Sequence, residues 1–144
     1  MVKKFALIFG IFYALIGILG FIPALVTTPE VAAGMEAEMA HGRLFGLFPV
    51  NILHNLVHLG VGIWGIIAAK DFDSSVFYAK VNAIIFGLLL ILGIIPATNT
   101  LFGLVPLYSH DIWLHLITTA VTGYFGFGPP AHAHHDRKTE PRRV

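Results

Sequence analysis

Four long apolar runs, almost free of charge, constrain this chain more than any other feature of its sequence. They extend from Phe5 to Val26, Pro49 to Ala69, Val76 to Pro96 and Asp111 to Gly128. A helix that crosses a bilayer needs about 20 mostly apolar residues, so each run reads as a transmembrane helix, the fourth being the shortest. The predicted fold class is an all-α integral membrane protein with four transmembrane helices. Composition supports this, with 56% hydrophobic and 12% charged residues against about 25% charged in an average soluble domain. A soluble chain of 144 residues has too much surface for its volume to hide so many apolar side chains.

The charges also carry an orientation. Lys3, Lys4, Lys70, Lys80, Arg137, Lys138, Arg142 and Arg143 fall at the N-terminus, in or within a turn or so of the second loop, or at the C-terminus, and only Arg43 lies elsewhere. Basic residues mark the cytoplasmic side, so both termini are expected there, with the segments 27–48 and 97–110 facing outward. Lys3 and Lys4 ahead of an apolar stretch resemble a signal peptide, but the stretch exceeds the roughly 7–15 residues of such a core. It is read as a retained span. Residues 1–128 form the transmembrane domain, and the His- and Arg-rich residues 129–144 read as a disordered cytoplasmic tail. There His132, His134 and His135 are weak metal candidates, and the nearby arginines suit anionic lipid.

Several function classes are excluded. The chain has no cysteine, so disulfides, thiolate metal sites and cysteine nucleophiles are absent. It has no serine elbow and no glycine-rich phosphate loop. No basic patch with interleaved aromatics lies outside the spans, so nucleic acid is not an expected partner.

The halves of the chain repeat one another. Leu19-Gly20-Phe21-Ile22-Pro23-Ala24 matches Leu92-Gly93-Ile94-Ile95-Pro96-Ala97, and Leu44-Phe45-Gly46-Leu47-Phe48-Pro49 matches Leu101-Phe102-Gly103-Leu104-Val105-Pro106. A His-Leu pair follows nine residues after the second proline of each half, at His58-Leu59 and His115-Leu116. Each half is then a helix hairpin, related to the other by a pseudo-two-fold axis along the membrane normal. The first half differs by about 16 extra residues in its outer loop. Their Ala, Glu and Met content around Met35 to His41 favours a short interfacial helix.

Ionisable side chains within spans are costly and point to function. Here the second run carries Asn51, His54, Asn55 and His58, and the fourth carries His110, Asp111 and His115. Residues four apart share a helix face, so His54 pairs with His58 and Asp111 with His115, at equivalent places in the repeat. At about 1.5 Å of rise per residue, His58 and His115 lie roughly 10 Å inside the outer helix ends. Imidazoles and a carboxylate converging from two helices suit a divalent transition metal, with His54, His58, Asp111 and His115 as candidate ligands and Asn51, Asn55 and His110 as supporting polar groups. Bis-histidine haem between His58 and His115 is a second option. A third is a polar core in which Asp111 caps its helix and the histidines join helices by hydrogen bonds. Trp113, Tyr108 and Tyr78 are expected in the interfacial aromatic belt, and Trp64 and Tyr124 in packing.

The run from Leu44 to Leu59, and Thr100 to Leu107 followed by Asp111-Ile112-Trp113-Leu114-His115-Leu116, resemble the motifs of an uncharacterised bacterial membrane family, domain of unknown function 4383. The resemblance covers about residues 5 to 128. It implies a four-helix protein of a bacterial inner membrane and supplies no activity. Asn51, His54, His58, Asp111 and His115 match the family's polar positions.

Three functions fit these readings. The first is a non-catalytic inner-membrane protein with an outward-facing His/Asp metal site. The second is a structural or partner-binding membrane subunit, as a homo-oligomer or with another protein. The third is a metal-dependent membrane hydrolase in which the metal activates water, with Asp111, Glu36 or Glu38 as its base.

Overall fold

A computed structural model describes residues 1–27 and 42–132. The interfacial helix expected around Met35 to His41, and the tail beyond His132, lie outside the described residues. The described chain is mostly helical, with α1 (Val2–Leu19), α2 (Ile52–Ala68), α3 (Phe72–Ile94) and α4 (His110–Phe127). Two of these, α1 and α3, are long and apolar enough to cross a membrane. α2 is apolar but has only 17 residues, and α4 is made more polar by His110, Asp111, His115 and its threonines.

The first helix ends sooner than its apolar run. At Gly20 the backbone meets the Asn55 side chain so closely that a Cβ would overlap it. Pro23 then opens a short 3-10 turn, Pro23–Leu25, because its ring cannot continue an α-helix. α3 begins instead in the loop. Asp71 accepts from the Ser74 backbone N–H at 2.9 Å, satisfying one of the free donors at a helix start. That bond holds the Asp71 carboxyl below its ordinary range.

A small antiparallel hairpin of β1 (Gly42–Leu44) and β2 (Phe48–Val50), not foreseen from the sequence, precedes α2, and its second strand takes up Pro49 and Val50, which the sequence reading placed in the second span. Its turn is left-handed at Phe45 (φ 54°) and Gly46 (φ 73°), and Phe45 N–H donates to the Leu25 carbonyl at 2.9 Å. The second Leu-Phe-Gly-Leu stretch forms no strand, yet Phe102 (φ 58°) and Gly103 (φ 89°) take the same backbone region. Each glycine N–H returns to the carbonyl three residues earlier, Gly46 to Arg43 and Gly103 to Thr100. A left-handed phenylalanine costs about 1–2 kcal/mol, so both turns are held by their surroundings. Asn51 supplies part of that hold. Its Oδ1 caps α2 by accepting from His54 N–H at 2.8 Å, and its Nδ2 donates to the Leu104 carbonyl at 2.7 Å.

The helices pack as two antiparallel pairs, α1 on α2 and α3 on α4. Glycine makes the seams close. A Cβ on Gly10 would lie 2.7 Å from Ile66 N, and one on Gly17 2.7 Å from Leu59 N, both backbone atoms. In the second pair, a Cβ on Gly126 would lie 2.7 Å from Lys80 N. Small residues are what lets helix backbones approach in this way.

Tyr78 is not in an interfacial belt. It is fully buried, with its hydroxyl donating to the Val61 carbonyl at 3.1 Å and its ring edge-on to Trp64. Tyr124, expected in packing, is half-exposed, and Trp113 is largely exposed near the start of α4. Position along a helix sets depth; the rotation of the helix about its axis decides exposure. Tyr78 lies on the inner side.

Candidate metal centre

The polar residues of α2 and α4 come together at the N-terminal ends of the two helices. His54 lies in the first turn of α2 and Asp111 in the first turn of α4, where a carboxylate also complements the helix dipole. His54 Nε2 stands 3.8 Å from Asp111 Oδ2. His115, one turn further along α4, completes a group in which one ligand atom from each of His54, Asp111 and His115 lies within 4.8 Å of the others. All three residues are at least 97% buried.

His58 stands beside this group rather than in it. Its ring centroid is 4.3 Å from that of His54 and 5.3 Å from that of Tyr13. Asn51 acts as the cap described above. Asn55 is buried against Gly20, with its Oδ1 lacking a hydrogen-bond partner. His110 is exposed and pairs with Ser109 Oγ at 3.2 Å. Of the four residues read as candidate ligands, three bring a possible ligand atom within 4.8 Å of one another, and the His58 ring lies beside that of His54.

Within the group, Asp111 Oδ2 and His115 Nδ1 are buried without hydrogen bonds, as is Nδ1 of the neighbouring His58. A buried polar atom left unpaired costs about 1–3 kcal/mol, and a bound ion offers such atoms a partner. Zinc bonds of about 2.0–2.1 Å put tetrahedral ligands roughly 3.4 Å apart. The observed spacing is slightly wider, within the reach of small side-chain rotations. Two nitrogens and a carboxylate oxygen are borderline donors that suit first-row divalent ions. Haem fits less well. A chain of ring contacts runs from His58 through Tyr13 and Phe86 to His115, at centroid spacings of 5.3, 5.3 and 5.5 Å. A macrocycle between the two histidines would have to displace it.

Below the centre, the buried face of α4 remains polar through Thr118 and Thr122. Thr118 Oγ1 shares a 2.7 Å hydrogen bond with the Tyr13 hydroxyl of α1, and Thr122 Oγ1 donates to the Thr118 carbonyl at 2.6 Å. Asn82 of α3 is also fully buried, its Nδ2 donating to the Tyr78 carbonyl. Sequence reasoning passed over these residues. The spacing Asp111, His115, Thr118, Thr122 is a single helical face and was available to find the threonines; nothing local marks Tyr13 as their partner. A double-mutant cycle on Tyr13→Phe and Thr118→Val measures that bond. Hydrogen bonds between membrane helices average about 0.6 kcal/mol and reach about 1.7, so a coupling in that interval is expected from unfolding in detergent, and a coupling of zero contradicts the bond.

A family model described as Domain of unknown function (DUF4383) matches residues 3–128. No curated protein and no solved structure matches the chain.

Proposed function

Since the chain belongs to the DUF4383 family, described as a domain of unknown function, we propose its role from its own residues. It is a multi-pass protein of a bacterial inner membrane that holds one divalent transition-metal ion between α2 and α4, near the outer surface. His54, Asp111 and His115 are the ligands. The observation that carries this reading is their convergence from two helices, fully enclosed, with Asp111 Oδ2 and His115 Nδ1 lacking hydrogen bonds. The bacterial setting follows the resemblance of its motifs.

In this reading all four helices cross the bilayer, with both termini on the cytoplasmic side. Support comes from the apolar character of α1 and α3 and from the basic residues, eight of nine of which fall, along the sequence, near the termini or around the second loop. The exposed positions of α2 and α4 agree, among them Leu56, Val57, Ile63 and Ile67 on α2 and Leu116, Ile117 and Val121 on α4. The pseudo-two-fold relation is supported by paired features. Tyr13 and Phe86 each precede the first proline of their half by ten residues, and each packs on the equivalent histidine, His58 or His115.

Metal-dependent hydrolysis is less well supported. Asp111 as a ligand cannot also act as the free base, and Glu36 and Glu38 lie outside the described residues. A structural or partner-binding subunit is the second reading, favoured by the Tyr13–Thr118 bond that joins α1 to α4.

Elemental analysis of protein purified in detergent from metal-replete cells separates the two. About one transition-metal ion per folded chain is expected, removable by a strong chelator. A folded chain that neither retains nor takes up such an ion would sink the metal reading and leave the polar core as a helix-joining device.

A further inference from the structure

At the end of the bundle opposite the metal centre, α3 carries a second arrangement of charge. Asp73, in the first turn of α3, and Lys80, two turns further along, face one groove of about 350 Å³ with Val76, Phe77, Ala131 and His132. A second groove of about 400 Å³ lies on the other side of Phe77, shares Asp73 and is walled by Trp64, Ile67 and Ala68 of α2. The Phe77 ring, 61% exposed, is the ridge between them. The Lys80 ammonium lies 5.7 Å from the centroid of the Phe127 ring of α4. Among the described residues neither Asp73 nor Lys80 is in an ion pair.

The order of these groups along α3 matches the order of groups in a phospholipid. A carboxylate stands nearest the loop and a cation follows about 10 Å further along the helix axis, drawn back toward the surface as lysine side chains are. Beyond Lys80 comes an apolar stripe, with Ile84, Leu88 and Ile91 exposed toward the surroundings. A lipid with an ammonium head, then a phosphate, then acyl chains meets complementary chemistry at each step. The two grooves, which share Asp73 and Phe77, lie at the headgroup level of that order.

We propose that this surface binds one ethanolamine phospholipid, its primary ammonium on Asp73, its phosphate on Lys80 and His132, and its chains leading past the Phe77 ring onto Ile84, Leu88 and Ile91. Asp73 discriminates headgroups, because a primary ammonium can donate hydrogen bonds to it and a choline trimethylammonium cannot. This inference rests on the membrane reading above.

The chain has two tryptophans, so Trp113→Phe leaves Trp64, in the second groove, as the sole reporter. Lipids with brominated chains quench a tryptophan they touch. In mixed micelles, brominated phosphatidylethanolamine is expected to quench Trp64 with about fivefold higher apparent affinity than brominated phosphatidylcholine, as one interfacial ion pair allows. Asp73→Asn should erase that preference, Lys80→Gln should weaken binding of both lipids, and Lys80→Arg should restore it. Equal quenching by both lipids, a preference that survives Asp73→Asn, or a preference for phosphatidylglycerol overturns the proposal. So does relief of the quenching by soluble phosphoethanolamine at stoichiometric concentration, which would assign the site to a headgroup alone. A chain that stays soluble without detergent would instead overturn the membrane reading itself, so the two failures are distinct.

Discussion

Changing Asp111 to asparagine is expected to abolish tight metal binding while leaving the bundle folded. The substitution keeps the size and planarity of the side chain and removes the one negative charge in the centre, so the loss reports on ligation rather than packing. Removing a group that merely supports a ligand already costs about 10–100-fold in metal affinity; removing a ligand from a set of three should exceed that, raising the apparent Kd by more than about 100-fold. His54→Ala and His115→Ala should do the same. His58→Ala is the informative contrast. It lies outside the group of ligand atoms, with its ring beside that of His54, so its loss should leave one ion per chain with an affinity cost near the low end of about 10–100-fold. Titration with cobalt(II), followed by its visible absorption, reads both affinity and coordination geometry. If His58→Ala proves as damaging as the other three, His58 is a ligand and its ring turns inward on binding. If none of the four variants alters uptake, the centre is not a metal site.

The second large effect concerns the seam that brings the centre together. A side chain at Gly62 has no room, because its Cβ would run into the Ala14 backbone of α1. Gly62→Val is therefore expected to force α1 and α2 apart. Overpacking costs about 1–3 kcal/mol where side chains can give way, and here the obstacle is backbone, so about 3 kcal/mol or more is expected. Gly60 lies on the same helix with nothing within 4 Å of an added Cβ. Gly60→Val should change stability only by the small propensity difference of a valine in a helix. Thermal or denaturant unfolding in one detergent measures both. Equal effects of the two variants would show that the seam is not a close backbone contact.

The sequence conveyed the helices better than their ends, and the site better than its membership. Long apolar runs announce helices because burial and backbone satisfaction act over the whole run, so α1 to α4 were legible. The end of α1 short of Val26 was also legible, in Pro23, whose ring cannot continue a helix. The i, i+4 spacing placed His54 and His58 on one face, as they are. Whether a given side chain on that face reaches Asp111 or leans on Tyr13 depends on how α2 is rotated against α1 and α4, and no local pattern encodes that. Tyr78 was misjudged for the same reason. The hairpin at Gly42–Val50 was hidden because its strands have only three residues each and Pro49 lies within one, leaving alternation too short to read.

The three ligands are unequally divided between the halves of the chain, one on α2 and two on α4. During synthesis the first hairpin emerges and can close on its own glycine seam long before α4 exists. At that stage the chain owns a single ligand and can hold no ion. On the proposed reading, metal capture is thus a late event in the life of the molecule, available only after α2 and α4 have come together. An occupied centre would certify that the two halves have been correctly put together.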